Sequence, residues 1–491
     1  MLSLIQCATK FPDRIAIQDS GGQYSFQDLL DRSAQLAGLL LGDLADLAEA
    51  RVGYMIAPGY DYVLVQWAIW RAGGIAVPIC VSYPAPSIQY VLEDAQISQI
   101  VATESFDDLL EPLSTKLSIP KIILSKSIGK PVQLPDLSME RRALILYTSG
   151  TTGKPKGVVS THAGLEAQIK ALVEAWEWQK EDHILNILPL HHVHGIVNVL
   201  CCALWSGACC EFLPKFDPKA IFEVFQKGSV NLFMAVPTIY YKLIAYFDTL
   251  DPETQTEISA RLQRFRLMVS GSAALPVSTL EKWQVISGHT LLERYGMTEM
   301  GMAISNSYRE ARIPGCIGMP LPGVEVRLVN EQEELVQAGD SGEIQVKGAN
   351  VFKEYWNKPE ATKAAFTPRG WFRTGDIAAL QNGVYKILGR NSVDIIKSGA
   401  YKISALEIQE VLRKHPDIQD CAVVGIPDEE WGELVAASLI ANPDQVNLDD
   451  LKTWLKERLP SYKIPRKYIF QNDLPRNVMG KVTKHKLKDL F

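Results

Sequence analysis

Between two apolar runs, Leu144-Ile145-Leu146-Tyr147 and Val158-Val159, lies Thr148-Ser149-Gly150-Thr151-Thr152-Gly153-Lys154-Pro155-Lys156-Gly157. Hydroxyls, glycines and lysines at this density suit one task. Gly150, Gly153 and Gly157 let successive N–H groups turn toward an anion with no Cβ in the way. Thr148, Ser149, Thr151 and Thr152 add hydroxyl donors, and Lys154 and Lys156 add charge. The chemistry is phosphate binding. A Walker loop needs Gly-Lys followed by Ser or Thr at a helix start, and here Pro155 follows Lys154. The loop is therefore expected between two strands, with the helix delayed to about Thr161, where Leu165, Ile169, Leu172 and Val173 share one face.

Other stretches carry chemistry too. Arg294-Tyr295-Gly296-Met297-Thr298-Glu299 sets a hydroxyl beside a carboxylate, a pair suited to a phosphate and a hard cation. Gly370-Trp371-Phe372-Arg373-Thr374-Gly375-Asp376 offers a carboxylate that can accept from two sugar hydroxyls, and Gly389-Arg390 follows it. Leu267-Met268-Val269-Ser270-Gly271-Ser272-Ala273-Ala274 reads as a strand entering a small-residue turn, against which a flat ring or an acyl group can lie. Leu188-Pro189-Leu190-His191-His192-Val193-His194-Gly195 gathers three imidazoles. No fourth ligand is near in sequence, so packing and hydrogen bonding are expected there rather than a metal. Cys201-Cys202 and Cys209-Cys210 lack the Cys-x-x-Cys spacing of a zinc grip and read as buried free thiols.

The elements that must position these residues alternate. Strands are expected at Ile15–Ile17, Val52–Ile56 and Ile75–Ile79, and helices at Phe26–Leu40 and Tyr60–Arg71, the rhythm of a layered α/β fold. Residues 105–140 read as irregular and polar. Near residue 391 the pattern resets to a smaller α+β unit. It has a strand at Asp394–Lys397, a capping box of Ser404 with Glu407, strands at Cys421–Ile426, Leu434–Ile440 and Lys467–Gln471, and a helix carrying Leu448, Leu451, Leu455 and Leu459. A chain of 491 residues exceeds a single core. The expected division is 1–390 and 391–491.

Bulk properties exclude other classes. A net charge of −6 argues against a general nucleic-acid binder. No apolar run approaches the roughly 20 residues of a membrane helix. The first residues have neither a basic secretory lead nor an Arg-rich transit pattern, and 8 sparse cysteines suit a reducing compartment, so a cytoplasmic protein is expected.

The loop at Tyr147–Gly157, with Tyr295-Gly296-Met297-Thr298-Glu299, Asp376, Arg390 and Gly480-Lys481 in the same order, resembles the adenylate-forming enzymes, which include acyl-CoA synthetases, peptide adenylation domains and beetle luciferases. The resemblance covers almost the whole chain. It implies a large N-terminal α/β domain and a small α+β C-terminal domain that rotates about a hinge just past Arg390. It implies ATP, Mg²⁺ and CoA as reactants or cofactors: acid plus ATP gives acyl-AMP, and a thiol then displaces AMP. The resemblance makes Lys481, Thr298 and Glu299 catalytic, with Glu299 on the metal. It puts ATP on Thr148 to Gly153, Lys154, Lys156, Gly271, Ser272, Ala273, Tyr295 (adenine face), Gly296, Asp376 and Arg390. It sets the thiol arm of CoA against Lys397, Ser398 and Gly399. Ser392 stands where many members carry Asp or Lys at the hinge, and Ala400 replaces a usual glycine.

The segment from Glu299 to Gly315 is similar to malonyl-CoA synthetases, with Arg312 implied to grip the far carboxylate of malonate. His194, Gly195, Ser272 and Met302 would complete a short acyl pocket. The alternatives are a monocarboxylate acyl-CoA synthetase, loading of a carrier protein, and a catalytically silent relative; intact Lys481, Glu299 and Asp376 argue against the last.

Overall fold

The computed structural model describes residues 2–124, 129, 132–148, 154–337, 339–399, 401–476 and 481–491. Two large sheets dominate them. One runs in spatial order through Met319–Pro320, Gly301–Ser305, Leu292–Met297, Leu267–Ser270, Leu232–Ala235, His183–Asn186, Cys209–Phe212, Ile15–Asp19 and Gly22–Ser25. The other runs through Glu354–Tyr355, Lys156–Thr161, Arg142–Thr148, Ile75–Pro78, Arg51–Met55, Gln99–Ala102 and Lys121–Ile123. Their inner strands are parallel, so both faces of each sheet need covering.

The pleat divides the side chains between layers. Leu232, Met234, Leu267 and Val269 enter one core, while Phe233, Ala235 and Met268 enter another. The first core also takes Val52, Tyr54, Leu144 and Leu146 from the second sheet, with helices Phe26–Leu41, Tyr60–Arg71 and His162–Ala175. Every residue from Tyr62 to Trp70 is buried, as a helix packed on all sides requires. Helices Pro218–Lys227, Pro237–Phe247, Pro252–Leu262 and Val277–Ser287 cover the outer face of the first sheet. Ala85–Asp94 and Asp107–Leu117 cover that of the second. The expectation of a large layered α/β domain holds.

The expectation for 105–140 does not. Asp107–Leu117 is a helix and Lys121–Ile123 a strand paired with Gln99–Ala102. Leu110 and Leu113 are buried, and Asp107 and Asp108 sit favourably in the first turn. Pro112 inside the helix and the shortness of the strand hid both elements from the residue pattern.

Val324–Val329, Ser341–Gly348, Phe372–Gln381 and Val384–Arg390 form an antiparallel sheet that ends at Arg390. Beyond it, Tyr401–Ser404, Ile395–Ser398, Gly432–Ile440 and Asp420–Asp428 pair antiparallel, and Lys467–Phe470 lies parallel to Gly432–Ile440. Ile408, Leu412, Leu451 and Leu455 pack with Val423, Val435 and Ala437 in a core of their own, making the smaller C-terminal domain. The capping box there is half made. Ser404 accepts the Glu407 N–H at 3.2 Å, but the Glu407 carboxylate turns to Lys463 at 2.7 Å.

Candidate active site

The phosphate hairpin forms as expected. Arg142–Thr148 and Lys156–Thr161 pair antiparallel with Thr148 opposite Lys156, and helix His162–Ala175 starts on the Thr161 cap. Ser149, Gly150, Thr151, Thr152 and Gly153 lie outside the described residues. The flanks are anchored. Tyr147 donates to Asp94 at 2.8 Å, Tyr90 donates to the Pro155 carbonyl at 2.7 Å, and Lys154 stands over the Tyr90 ring. Lys156 stands over the Tyr355 ring with its ammonium 4.9 Å from the centroid. Tyr355 in turn donates to a Glu299 carboxylate oxygen at 3.0 Å. Tyr355 thus joins the lysine of the loop to the carboxylate proposed for metal.

Strand Leu292–Met297 carries Tyr295 and Gly296 to the turn that holds Thr298 and Glu299. Tyr295 donates to Asp376 at 2.6 Å, and Arg390 meets the same carboxylate at 2.9 Å. A buried carboxylate held by a hydroxyl and a guanidinium is fixed in place before any nucleotide arrives. Tyr295 is buried with its hydroxyl spent on Asp376, a role the motif alone did not suggest.

Lys481 lies within electrostatic reach of Arg390, Asp376, Arg294 and Glu299. It keeps solvent-exposed surface. The surrounding protein, and then the Arg390 guanidinium, hold its pKa below the ordinary lysine value, with Asp376 acting in the opposite sense. Asn477, Val478, Met479 and Gly480 lie outside the described residues.

The acyl side is different in kind. His194 opens a π-helical turn, His194–Cys201, that is buried throughout. Its Nδ1 lies 3.2 Å from the Ser272 hydroxyl, which the Arg294 guanidinium reaches at 3.4 Å. Arg294 is buried, and among the described residues no carboxylate lies within 4.0 Å of its nitrogens to form an ion pair. Its Nε and the Nε2 of His194 are buried without a partner. A guanidinium only donates. Ser272 therefore accepts from Arg294 and gives its own hydrogen to His194 Nδ1, which leaves the ring hydrogen on Nε2. Burial, then the charge of Arg294, keeps His194 neutral by pushing its pKa well down. Two orphaned donors, Nε of Arg294 and Nε2–H of His194, result. Met302 is buried and packs into the space that Gly296 leaves open, and Gly195 lies close under the Pro189 carbonyl.

Arg312 is not part of this group. Its guanidinium donates to the main-chain carbonyls of Ser307 and Tyr308 at 3.2 and 3.3 Å and to that of Thr290, clamping its own loop. Three of its five N–H donors, one from each nitrogen, go to backbone carbonyls. Arg294, which no pattern had singled out, occupies the place beside Ser272 and His194 instead. The signal was available: an arginine inside the strand run Leu291-Leu292-Glu293-Arg294-Tyr295 has no structural reason to be there. Tyr355, Tyr90 and Asp94 were missed as well, because their partners come from distant strands.

On the C-terminal domain, Lys397 and Ser398 end strand Ile395–Ser398, and Gly399, at φ +57°, faces the Trp431 ring. Ala400 lies outside the described residues. His191 and His192 are half-buried ring against ring at 4.0 Å, with pKa values pushed down, first by desolvation, to about 4 and about 3. No group of three metal-ligating side chains occurs among the described residues, and all eight cysteines are free. No helix among them is long and apolar enough to cross a membrane.

Known proteins resemble this chain in sequence and fold. The model described as AMP-binding enzyme matches residues 4–356, and AMP-binding enzyme C-terminal domain matches 407–481. The mitochondrial malonate–CoA ligase of Xenopus laevis is 46% identical, covering 98% of this chain and 90% of that protein. ATP-bound MatB from Rhodopseudomonas palustris is 31% identical and superposes with a TM-score of 0.92, covering 100% of this chain and 99% of that one. A malonyl-CoA ligase in a ternary product complex with methylmalonyl-CoA and AMP is 34% identical yet reaches 0.70, covering 95% and 97%. Sequence and fold agree across both domains, and the chain belongs to the AMP-binding enzyme family of AMP-forming acid–CoA ligases.

Proposed function

We propose that the chain is a malonate–CoA ligase that forms malonyl-AMP from malonate and ATP, then malonyl-CoA. The observation that carries the choice of acid is the buried Arg294 guanidinium, paired with no carboxylate among the described residues and set with His194 against Ser272. A short monocarboxylic acid would leave this cation desolvated and unpaired, at several kcal/mol. The far carboxylate of malonate supplies the missing anion and takes the N–H of His194 as well.

In the first half-reaction one malonate carboxylate oxygen attacks the α-phosphorus of ATP and pyrophosphate leaves. Charge builds on the carboxylate and α-phosphate oxygens. Lys481 stands with Arg390 and Asp376 where an ammonium meets that charge, and Thr298 offers a hydroxyl to the α-phosphate. Residues 148–156 hold the departing pyrophosphate, and Asp376 and Arg390 hold the ribose. Glu299 suits Mg²⁺: its carboxylate is buried, receives the Tyr355 hydroxyl, and pairs with no cation among the described residues. When bound, the ion would neutralise phosphate charge. In the second half-reaction the CoA thiolate sulfur bonds to the acyl carbon and AMP leaves.

The second half is read as following rotation of residues 391–491 about the turn after Arg390, which brings Lys397, Ser398 and Gly399 to the thiol arm. The closer superposition on the ATP-bound relative than on the CoA product complex supports this reading. The free cysteines support a reducing compartment, for which we favour the cytosol; fractionation distinguishes it from the mitochondrion of the frog relative.

Pyrophosphate release with malonate, methylmalonate, acetate, octanoate and 4-coumarate side by side tests the assignment. Malonate is expected to lead. A preference for octanoate or coumarate overturns the choice of acid and leaves the ligase class standing.

A further inference from the structure

We propose that Gly271 is a specificity-determining residue: its missing side chain is the slot in which the Arg294 guanidinium sits, and so it sets the preference for a dicarboxylic acid. The inference rests on the malonate reading above. A Cβ placed on Gly271 would lie 2.4 Å from Cζ of Arg294 and 2.6 Å from both Nε and Nη1. These three nearest atoms all belong to one side chain, and none is backbone. The φ of Gly271 lies outside the left-handed region, so alanine is conformationally permitted there. The guanidinium is thus the nearest obstacle to a side chain at this position.

Other glycines of the site differ. At Gly301 φ is +57°, and a Cβ at Gly296 would meet a carbonyl oxygen at 2.2 Å, so backbone enforces glycine at both. At Gly271 the three atoms that a methyl group meets first are at the flexible end of Arg294. That end must move by about 1 Å or more to regain ordinary van der Waals distance. Nε and the contact to Ser272 move with it, and a misplacement of this size is felt strongly where a charge must meet a charge. Gly271 acts through Arg294, so it is a positioning residue.

The test is a double-mutant cycle on the full-length enzyme, read as the ratio of kcat/KM for malonate to that for butyrate, in which an ethyl group takes the place of the far carboxylate. A common ratio removes any effect on ATP. Malonate preference of the unmodified enzyme is measured first, and its absence defeats the malonate reading rather than this one. Given that preference, Gly271→Ala is expected to lower the ratio at least 30-fold, mainly through malonate KM. In the Arg294→Met background the same substitution is expected to change the ratio less than threefold. An insoluble Gly271→Ala whose fold returns in the Gly271→Ala/Arg294→Met double variant supports the same clash. Equal cost in both backgrounds, or parallel loss of malonate and butyrate, overturns the proposal.

Discussion

Two buried corners of this cleft handle charge in opposite ways. At Asp376 the carboxylate is met by Tyr295 at 2.6 Å and Arg390 at 2.9 Å, so the corner is neutralised and rigid without ligand. At Arg294 the guanidinium has, among the described residues, Ser272 alone for a side-chain hydrogen-bond partner and an orphaned Nε. One strand shows the contrast most sharply. Glu293 and Arg294 are adjacent and both buried, yet the pleat turns them to opposite faces, and they do not pair. Glu293 escapes by protonation: burial, aided by Glu410, raises its pKa to about 8. A guanidinium has no such escape. The part common to all reactions of the family is satisfied in advance, while the part that selects the acid is left for the substrate to complete.

The largest effect expected separates the halves of the reaction. Lys481→Ala should lower ATP–pyrophosphate exchange about 10²–10³-fold, the scale of removing one oxyanion stabiliser. Thioester formation from supplied malonyl-AMP should survive. Equal loss of both would put Lys481 outside the first step. Only the protonated amine serves, and its pKa is depressed. The alkaline loss of exchange should therefore begin below the ordinary lysine range, which a pH profile reads directly.

Next is the cation of the pocket. Arg294→Ala should cost malonate at least ~2 kcal/mol in kcat/KM, the scale of stripping one partner from a buried charge pair. Arg312→Ala, which frees three backbone carbonyls, should lower thermal stability and leave malonate preference within threefold. The reverse ranking would return the dicarboxylate to Arg312.

Much of this arrangement was legible in the residues. Strands and helices alternated where expected, and the phosphate hairpin and the reset after Arg390 followed from local pattern, whereas Asp376 and Arg390 were each assigned to the ribose by resemblance and their mutual ion pair was not foreseen. Pairs brought together by tertiary packing were not legible. Arg312 and Arg294 both follow Glu299 or precede it closely, and only the fold shows that one guanidinium is consumed by carbonyls and the other is not. Helix Asp107–Leu117 was missed because Pro112 argues locally against it, whereas burial of Leu110 and Leu113 decides the matter.

Glu293→Gln sharpens the contrast through stability. The folded pKa of about 8 lies above the ordinary value of 4.5. The folded state therefore binds the extra proton, and the stability this provides is full below about pH 4.5 and lost as pH rises through 8. Glutamine keeps the acceptor for the Gly315 N–H, made at 3.0 Å, and carries no charge. Urea midpoints at pH 5 should lie close to those of the unmodified protein, and the variant's advantage should grow by roughly 3 kcal/mol between pH 5 and pH 7.5. A pH-independent difference would show that Glu293 is not held neutral.

The smallest effect concerns Ser272, whose φ of +71° is costly for any residue with a side chain. The strain aims its hydroxyl at both His194 and Arg294. Ser272→Gly should relieve about 1 kcal/mol of strain, partly offset by the greater freedom of glycine in the unfolded chain. Ser272→Ala keeps the strain and loses the hydroxyl. Both variants should weaken malonate preference several-fold, because the relay that fixes the His194 tautomer is gone. Only the glycine variant should gain in melting temperature. If glycine and alanine prove equally stable, Ser272 stores no strain. If both retain full malonate preference, the hydroxyl does not orient the two donors, and Arg294 alone must select the acid.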